Sequence, residues 1–173
     1  MLLRHKGKVI FLSNVVASEG YLKDKVHNKS GLQKERIHMA LAEGTKENPW
    51  KLKTPPQTSE YEIYKDEKDG KEILVCTVGK TVLHYDFRCI DDLSAMLKQH
   101  GDWIELGSAD EQKPAKEGTI EAWGRSSENP IGGWYGLKKG LRGRFGMYLP
   151  PLMEKLGLAE VEHNPRNNRM KSI

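Results

Sequence analysis

Residues 129–173 read NPIGGWYGLKKGLRGRFGMYLPPLMEKLGLAEVEHNPRNNRMKSI and form the most strongly patterned part of this chain. Helical spacing places four apolar side chains on one face. They are Leu137, Leu141, Phe145 and Tyr148. Lys138, Lys139 and Arg142 project from the other side of the same helix. The pattern therefore predicts a basic amphipathic helix that ends at Pro150-Pro151.

Three glycines interrupt this predicted helix. Gly136, Gly140 and Gly143 flank its apolar stripe, and each costs roughly 1 kcal/mol relative to alanine in a helix interior. A helix that carries three such costs indicates close backbone approach, either by another element of the chain or by a ligand or partner. The Gly136/Gly140/Gly143 face is therefore a candidate surface for a protein partner.

A hairpin is predicted at the end of the chain. Pro150-Pro151 can begin a further short helix, because proline is tolerated in a first turn, and Gly157 suits the position after its C-cap. Leu158–His163 and Arg169–Ile173 alternate as strands do, and Pro165–Asn167 supplies turn residues between them. We expect the two segments to pair in antiparallel fashion.

The order of these features has a counterpart among known families. A helix, Leu156-Gly157-Leu158, an acidic strand, the basic turn Asn164-Pro165-Arg166 and a returning strand with Arg169 follow one another between Pro150 and Ile173. This order resembles the recognition helix and wing of winged-helix DNA-binding proteins. The resemblance covers about 24 residues and implies DNA as a ligand of this end of the chain.

The middle of the chain predicts an antiparallel meander of three strands. Glu60–Lys65, Glu72–Val78 and Thr81–Cys89 are the strand segments, and Asp69-Gly70 and Gly79-Lys80 are hairpin turn signals between them. In the third strand the odd-numbered residues, Cys89 included, are expected on the buried face, because successive side chains alternate.

Shorter elements complete the expected fold. The sequence predicts a helix from Asp91 to near Gly101, a strand over Trp103–Leu106 and a short helix over Thr119–Trp123. The fold class is therefore α+β: an antiparallel β-meander packed on helices, with a C-terminal helical unit that ends in a wing-like β-hairpin.

The first residues and one polar segment complete the organisation of the chain. Lys8–Val16 predicts a strand, and a capping box with helical spacing predicts a helix over Gly31–Glu43. Residues 108–118 contain no large apolar side chain, which is typical of a linker or of a surface loop. They would separate a sheet-containing part, 1–107, from a winged-helix-like part, 119–173, unless both form one compact domain.

Composition restricts the class of protein. The 173 residues carry a formal net charge of +4, and 37% are hydrophobic. No apolar run is long enough for a transmembrane helix, and the N-terminus lacks the apolar core of a signal peptide. Two cysteines, Cys76 and Cys89, are too few for a disulfide framework. We expect a cytoplasmic protein with reduced thiols and no membrane association.

Catalytic and metal-binding patterns are sparse. No spacing of histidine and cysteine matches a metal site, and no phosphate loop, dinucleotide fingerprint or nucleophile elbow occurs. We expect no metal and no cofactor. His84, Asp86 and Arg88 share one face of a predicted strand, which places a general base beside an anion-binding arginine. These three residues are the weak candidates for catalysis, and a solvated sheet face is the alternative.

Aromatic and basic residues together give the leading hypothesis. Trp134 with Arg142, and Trp123 with Arg125, can stack bases while cations contact phosphate, although both tryptophans can equally anchor a core. Local basicity supports phosphate contact, because residues 134–148 and 164–173 contain no acid. The predicted nucleic-acid-binding residues are Trp134, Lys138, Lys139, Arg142, Arg166 and Arg169.

Three functions remain open at this point. The first is a non-enzymatic binding protein that uses the basic aromatic C-terminal surface, with nucleic acid as the ligand. The second is a protein-interaction module or subunit, and the third is a small enzyme that uses the His84 face. If three to five of the predicted cations contact phosphate, log affinity falls with log salt with a slope of about −2 to −4.5.

Overall fold

The computed structural model describes residues 43–173, which lie within one compact unit. The strand predicted for Lys8–Val16 lies outside the described residues, as does all of the helix predicted for Gly31–Glu43 except its last residue.

The first sheet is antiparallel and has four strands in the order β1-β2-β3-β4. The strands are β1 (Trp50–Lys53), β2 (Glu60–Lys68), β3 (Lys71–Val78) and β4 (Thr81–Asp86). Lys68 pairs with Lys71 across Asp69-Gly70, and both turn residues have positive φ, as a type I′ turn requires. The predicted meander is confirmed, and β1 extends it by one strand.

The third predicted strand is shorter than expected. It ends at Asp86, whose Oδ1 accepts the Arg88 N–H at 3.0 Å and so turns the chain. Helix α1 (Cys89–His100) then begins with Cys89, which is fully buried at the start of the helix and does not lie on the strand. The helix ends at Gly101, whose left-handed conformation lets its N–H reach the Leu97 carbonyl.

The second half of the described chain holds two more helices and a second sheet. These elements are β5 (Ile104–Glu105), α2 (Ile120–Trp123), α3 (Phe145–Lys155), β6 (Ala159–Val161) and β7 (Arg169–Ser172). The sheet is antiparallel, in the order β5-β7-β6, with Val161 opposite Met170. The predicted C-terminal hairpin is confirmed, and the strand predicted near Trp103 pairs with β7.

Helix α3 packs on the inner face of the meander. The Tyr61 hydroxyl donates to the Tyr148 carbonyl at 2.8 Å, and the rings of these two residues meet edge to face. The Tyr85 hydroxyl donates to the Gly143 carbonyl at 3.0 Å, just before α3 begins. Both tyrosine hydroxyls therefore have a hydrogen-bond partner, and each ring adds about 1.5–3 kcal/mol of apolar burial.

The basic helix predicted for residues 137–148 is wrong over most of its length. Residues 137–144 form no helix, Gly140 has a φ of +88°, and Leu137 is 46% exposed. Helix α3 starts at Phe145 and continues through Pro150 and Pro151 to Lys155. The glycine costs prevent a helix before Phe145, and burial of α3 outweighs the donors that its two prolines lack.

The end of α3 follows the prediction. Gly157 has a φ of +71°, its N–H donates to the Glu154 carbonyl, and the Leu158 N–H donates to the Met153 carbonyl. These two hydrogen bonds form a Schellman motif, so Gly157 follows the C-cap as expected. Eight of the eleven residues of α3 are buried, which leaves the helix almost no solvent-exposed face.

Candidate functional site

Two of the predicted glycines permit close approach of the backbone within the chain itself. A Cβ on Gly143 would lie 2.5 Å from the Ala109 carbonyl oxygen and 2.6 Å from the Glu111 nitrogen. A Cβ on Gly136 would overlap the backbone of Arg142. The helix that was to present these glycines to a protein partner is absent, and Gly136 and Gly143 instead serve internal contacts.

Three arginines hold residues 109–113, which belong to the segment predicted as a linker or surface loop. The Arg125 guanidinium donates to the carbonyls of Ala109 and Lys113, at 2.9 and 3.0 Å. The Arg144 backbone N–H also donates to the Ala109 carbonyl. No residue from 108 to 118 is buried. These contacts favour the surface loop over the mobile linker.

The deepest ion pair of this region joins Arg125 to Glu121. Glu121 lies in α2, and Arg125 follows four residues later, just after the helix ends. The side chains of Arg125 and Glu121 are 11% and 1% exposed. The second carboxylate oxygen of Glu121 accepts the Gly146 N–H at 2.8 Å, so this acid also caps the N-terminus of α3. Burial raises the pKa of Glu121, although Arg125 and the Gly146 amide favour the charged form.

Two acidic side chains of the loop meet the other two arginines. Arg142 donates to Oε1 of Glu111 from Nε and Nη2, at 2.9 and 2.6 Å, and its backbone N–H donates to Oε2 at 2.9 Å. Arg144 donates to Asp110 at 2.7 Å. Hydrogen bonds from Arg142 lower the pKa of Glu111 to about 2, and Arg144 lowers the pKa of Asp110.

Trp134 lies beneath two of these arginines. The guanidinium carbons of Arg125 and Arg142 are 4.4 and 4.6 Å from the centroid of its ring. Such distances give attractive cation–π contacts. We call Trp134, Arg125, Arg142 and Arg144 the Trp134 cluster. The structure thus brings together Trp134 and Arg142, as predicted, with acids that hold the arginines in place.

A second cluster of the same chemistry lies on the small sheet. Arg169 and Lys171 lie over the ring of Trp103, at 5.4 and 4.9 Å from its centroid. Glu162 accepts two hydrogen bonds from the Arg169 guanidinium and Glu160 pairs with Lys171, both from β6 or its end. We call Trp103, Arg169 and Lys171 the Trp103 cluster. The predicted residue Arg169 therefore lies here, with an acidic partner of its own.

The remaining predicted cations have no such partners. Lys138, Lys139 and Arg166 are exposed, and no ion pair involves them among residues 43–173. Lys138 and Lys139 belong to the turn before Gly140, whose carbonyl accepts a hydrogen bond from Gln112. Arg166 belongs to the loop of the C-terminal hairpin and lines a groove of about 320 Å³ beside Gly146 and Met147.

The His84 face does not gather its three predicted residues into one site. Asp86 binds the Arg88 backbone, and the Arg88 side chain pairs with Asp92 of α1 at 2.9 Å. Partial burial, and then the charges of Lys68 and Lys138, lower the pKa of His84. The arrangement places no anion-binding arginine beside the imidazole.

Residues 43–173 contain no group of three or more side chains that could hold a metal ion. Cys76 and Cys89 are free and buried, and burial raises the pKa of both thiols, which leaves them unreactive. Within the same residues, no helix has the length and apolar character needed to cross a bilayer.

Sequence reasoning missed the acids that pair with the arginines of the Trp134 cluster. Glu121 and Arg125 stand four residues apart at a short helix capped by Thr119, a spacing that identifies a helical ion pair. Asp110 and Glu111 gave no such signal, because their partners are 34 and 31 residues away in the sequence. Only the folded chain shows which arginines they meet.

Comparison with known proteins identifies a family. No curated protein and no solved structure matches the chain. Residues 42–173, which include every described element, match DUF6855, a family of unknown function. The chain therefore belongs to the DUF6855 family.

Proposed function

We propose that this protein is a non-enzymatic binding protein that takes nucleic acid through its basic C-terminal surface. The observation that carries the proposal is the exposure of Lys138, Lys139 and Arg166 without ion pairs in the described chain. A cation without an acidic partner is free to neutralise a phosphate and to release its counterion. We also propose a cytoplasmic location, which the free thiols of Cys76 and Cys89 support.

We extend the proposal to a winged-helix-like arrangement of the C-terminal part, which would take the same ligand. The chain runs α1, β5, α2, α3, β6, β7, and the short strand β5 pairs with the last strand of the hairpin. We infer a wing-like role for the hairpin loop, in which Arg166 contacts the DNA backbone. Because α3 is mostly buried, we do not assign it to the major groove.

This proposal predicts binding with little sequence preference. Contacts to phosphate position a protein on nucleic acid without reading bases. Arg142 and Arg169 are neutralised by Glu111 and Glu162, so three free cations remain of the five predicted. We therefore expect a slope of about −2 to −2.7 for log affinity against log salt.

The test is a salt titration by fluorescence anisotropy with labelled duplex and single-stranded oligonucleotides. Lys138→Ala/Lys139→Ala should weaken binding to all sequences alike and flatten the slope by roughly 1.4–1.8. The matched control is Lys46→Ala/Lys98→Ala, which removes two exposed charges elsewhere and should leave the slope near the wild-type value. Absence of binding at ~50 mM salt, or equal effects of the two double variants, would refute the proposal.

A further inference from the structure

The loop of residues 108–118 covers part of the Trp134 cluster. Three arginines, Arg125, Arg142 and Arg144, direct their guanidinium groups at residues 109–113 of this loop. Two of these arginines, Arg125 and Arg142, also lie over the ring of Trp134. Arg142 and Arg144, if uncovered, would add two cations a few residues from Lys138 and Lys139 in the chain, whereas Arg125 stays paired with Glu121.

The way that Glu111 is bound resembles the binding of an external anion. Its carboxylate receives two side-chain hydrogen bonds and one backbone N–H from Arg142. A guanidinium fork with an adjacent amide is equally suited to two oxygens of a phosphate. Asp110 occupies Arg144 in a simpler way, through one hydrogen bond at 2.7 Å. The two carboxylates therefore hold positions where phosphate oxygens would bind.

The loop is fastened mainly by hydrogen bonds and ion pairs, and none of its residues is buried. Gly107 and Gly118, with φ values of +63° and +72°, stand at its two ends and tolerate backbone rotation. A segment with many exposed hydrogen bonds and little apolar burial opens at a lower free energy than the core.

We propose that the Trp134 cluster is a phosphate-binding site for nucleic acid, and that Asp110 and Glu111 cover it as an internal, displaceable substitute for phosphate. This inference rests on the proposed function, because it names a second contact surface for the same ligand. When the loop leaves, Arg142 and Arg144 bind phosphates and Trp134 becomes available for stacking on a base. The covered and open forms differ in affinity for the same nucleic acid.

The first test neutralises the cover and keeps its shape. Asp110→Asn/Glu111→Gln should bind single-stranded DNA roughly fivefold to tenfold more tightly at ~50 mM salt, with a slope steeper by about 1.4, because two further phosphates are neutralised. The matched control, Glu67→Gln/Glu72→Gln, removes the same charge from a cross-strand pair of exposed residues on the β2–β3 hairpin. It should leave the slope unchanged.

A second variant opens the loop without any change of charge. Gly143→Ala places a methyl group against the backbone of Ala109 and Glu111 and should therefore displace the loop. Its affinity should rise in the same direction as that of the neutralised variant. Adding Arg142→Ala to Asp110→Asn/Glu111→Gln should remove about 0.7 of the gained slope, which is the share of one phosphate on single-stranded DNA.

The outcomes separate this inference from the proposed function. If wild type binds and the neutralised variant binds with the same slope, the inference is wrong and the proposed function stands. If wild type does not bind and the neutralised variant does, the cover is supported and the unpaired cations are insufficient as a site. If neither binds, both proposals fail.

Discussion

The two tryptophan clusters use the same chemistry in two settings. Each places two cationic groups over one indole ring, and each neutralises those cations with acids. In the Trp103 cluster the acids belong to the neighbouring strand or its end, so a single hairpin supplies both charges. In the Trp134 cluster they come from α2 and from a loop about 30 residues away.

This difference determines what each cluster contributes. The hairpin ion pairs are partly exposed, and pairs that solvent can reach contribute little to stability. Glu121 and Arg125 are nearly inaccessible to solvent, so the loss of one leaves the other buried without its partner. Similar contacts therefore contribute much to stability where they are buried and little where solvent reaches them.

The largest expected effect comes from Arg125→Ala. This change leaves Glu121 buried without its ion-pair partner, and should reduce the free energy of unfolding by about 3–5 kcal/mol at pH 7. Urea denaturation measures it, with Arg169→Ala in the Trp103 cluster as the control that should hardly change the midpoint. Equal effects of the two changes would remove the distinction between the clusters.

The same variant should depend on pH. Burial raises the pKa of Glu121 in the folded protein, so an acid of this kind favours folding at low pH and opposes it as pH rises through its folded value. Without Arg125 that pKa rises further. The deficit of Arg125→Ala should therefore shrink as pH falls from 7 towards 5, and a deficit that grows would contradict the assignment.

An intermediate loss of stability is expected for Gly136→Ala. A methyl group there would overlap the backbone of Arg142, and overpacking of this kind costs about 1–3 kcal/mol. Gly133→Ala is the matched control, because a Cβ at Gly133 meets no atom within 4 Å. Thermal unfolding of both variants compares them, and similar midpoints would show that residues 136 and 142 need not approach closely.

The smallest expected effect concerns the carboxyl of Glu111. Its pKa of about 2 should rise towards the ordinary value of 4.5 in Arg142→Ala, as followed by NMR titration. Because the pKa of Glu111 is lower in the folded protein than in the unfolded chain, this carboxyl favours folding above pH ~4.5, and its contribution to stability is lost as pH falls towards 2. The Glu162 carboxyl in Arg169→Ala provides the corresponding titration in the Trp103 cluster, and an unchanged value for Glu111 would argue against its pairing with Arg142.

Local patterns predicted the fold best. Asp69-Gly70 and Gly79-Lys80 specified the turns of the meander, alternation specified its faces, and Gly157 marked the end of α3, because each signal acts within a few residues. The prediction of a helix over 137–148 was wrong because local helical spacing competes there with contacts to residues distant in the sequence. Its apolar spacing was real, but the glycines favoured close contact with residues far along the chain.

The site was less accessible to prediction than the fold. Trp134 and Arg142 were identified from composition, yet the identity of their partners depends on how residues 108–118 fold back. Arg166 and Arg169 lie close in sequence and differ in state, because Glu162 reaches only the second. A basic residue in a sequence therefore predicts a charge, and the fold decides whether that charge remains free.

The hydrogen bonds from Tyr61 and Tyr85 join the meander to a region that is synthesised later, so the inner face of the sheet is covered late. The meander is complete once Asp86 has been added, whereas the helix that covers its inner face ends at Lys155. At ribosomal rates of about 5–20 residues per second, the covering helix follows roughly 3–14 s later. Throughout that interval the inner face of the sheet lacks the cover of α3, and transiently exposed apolar surface of this kind favours aggregation.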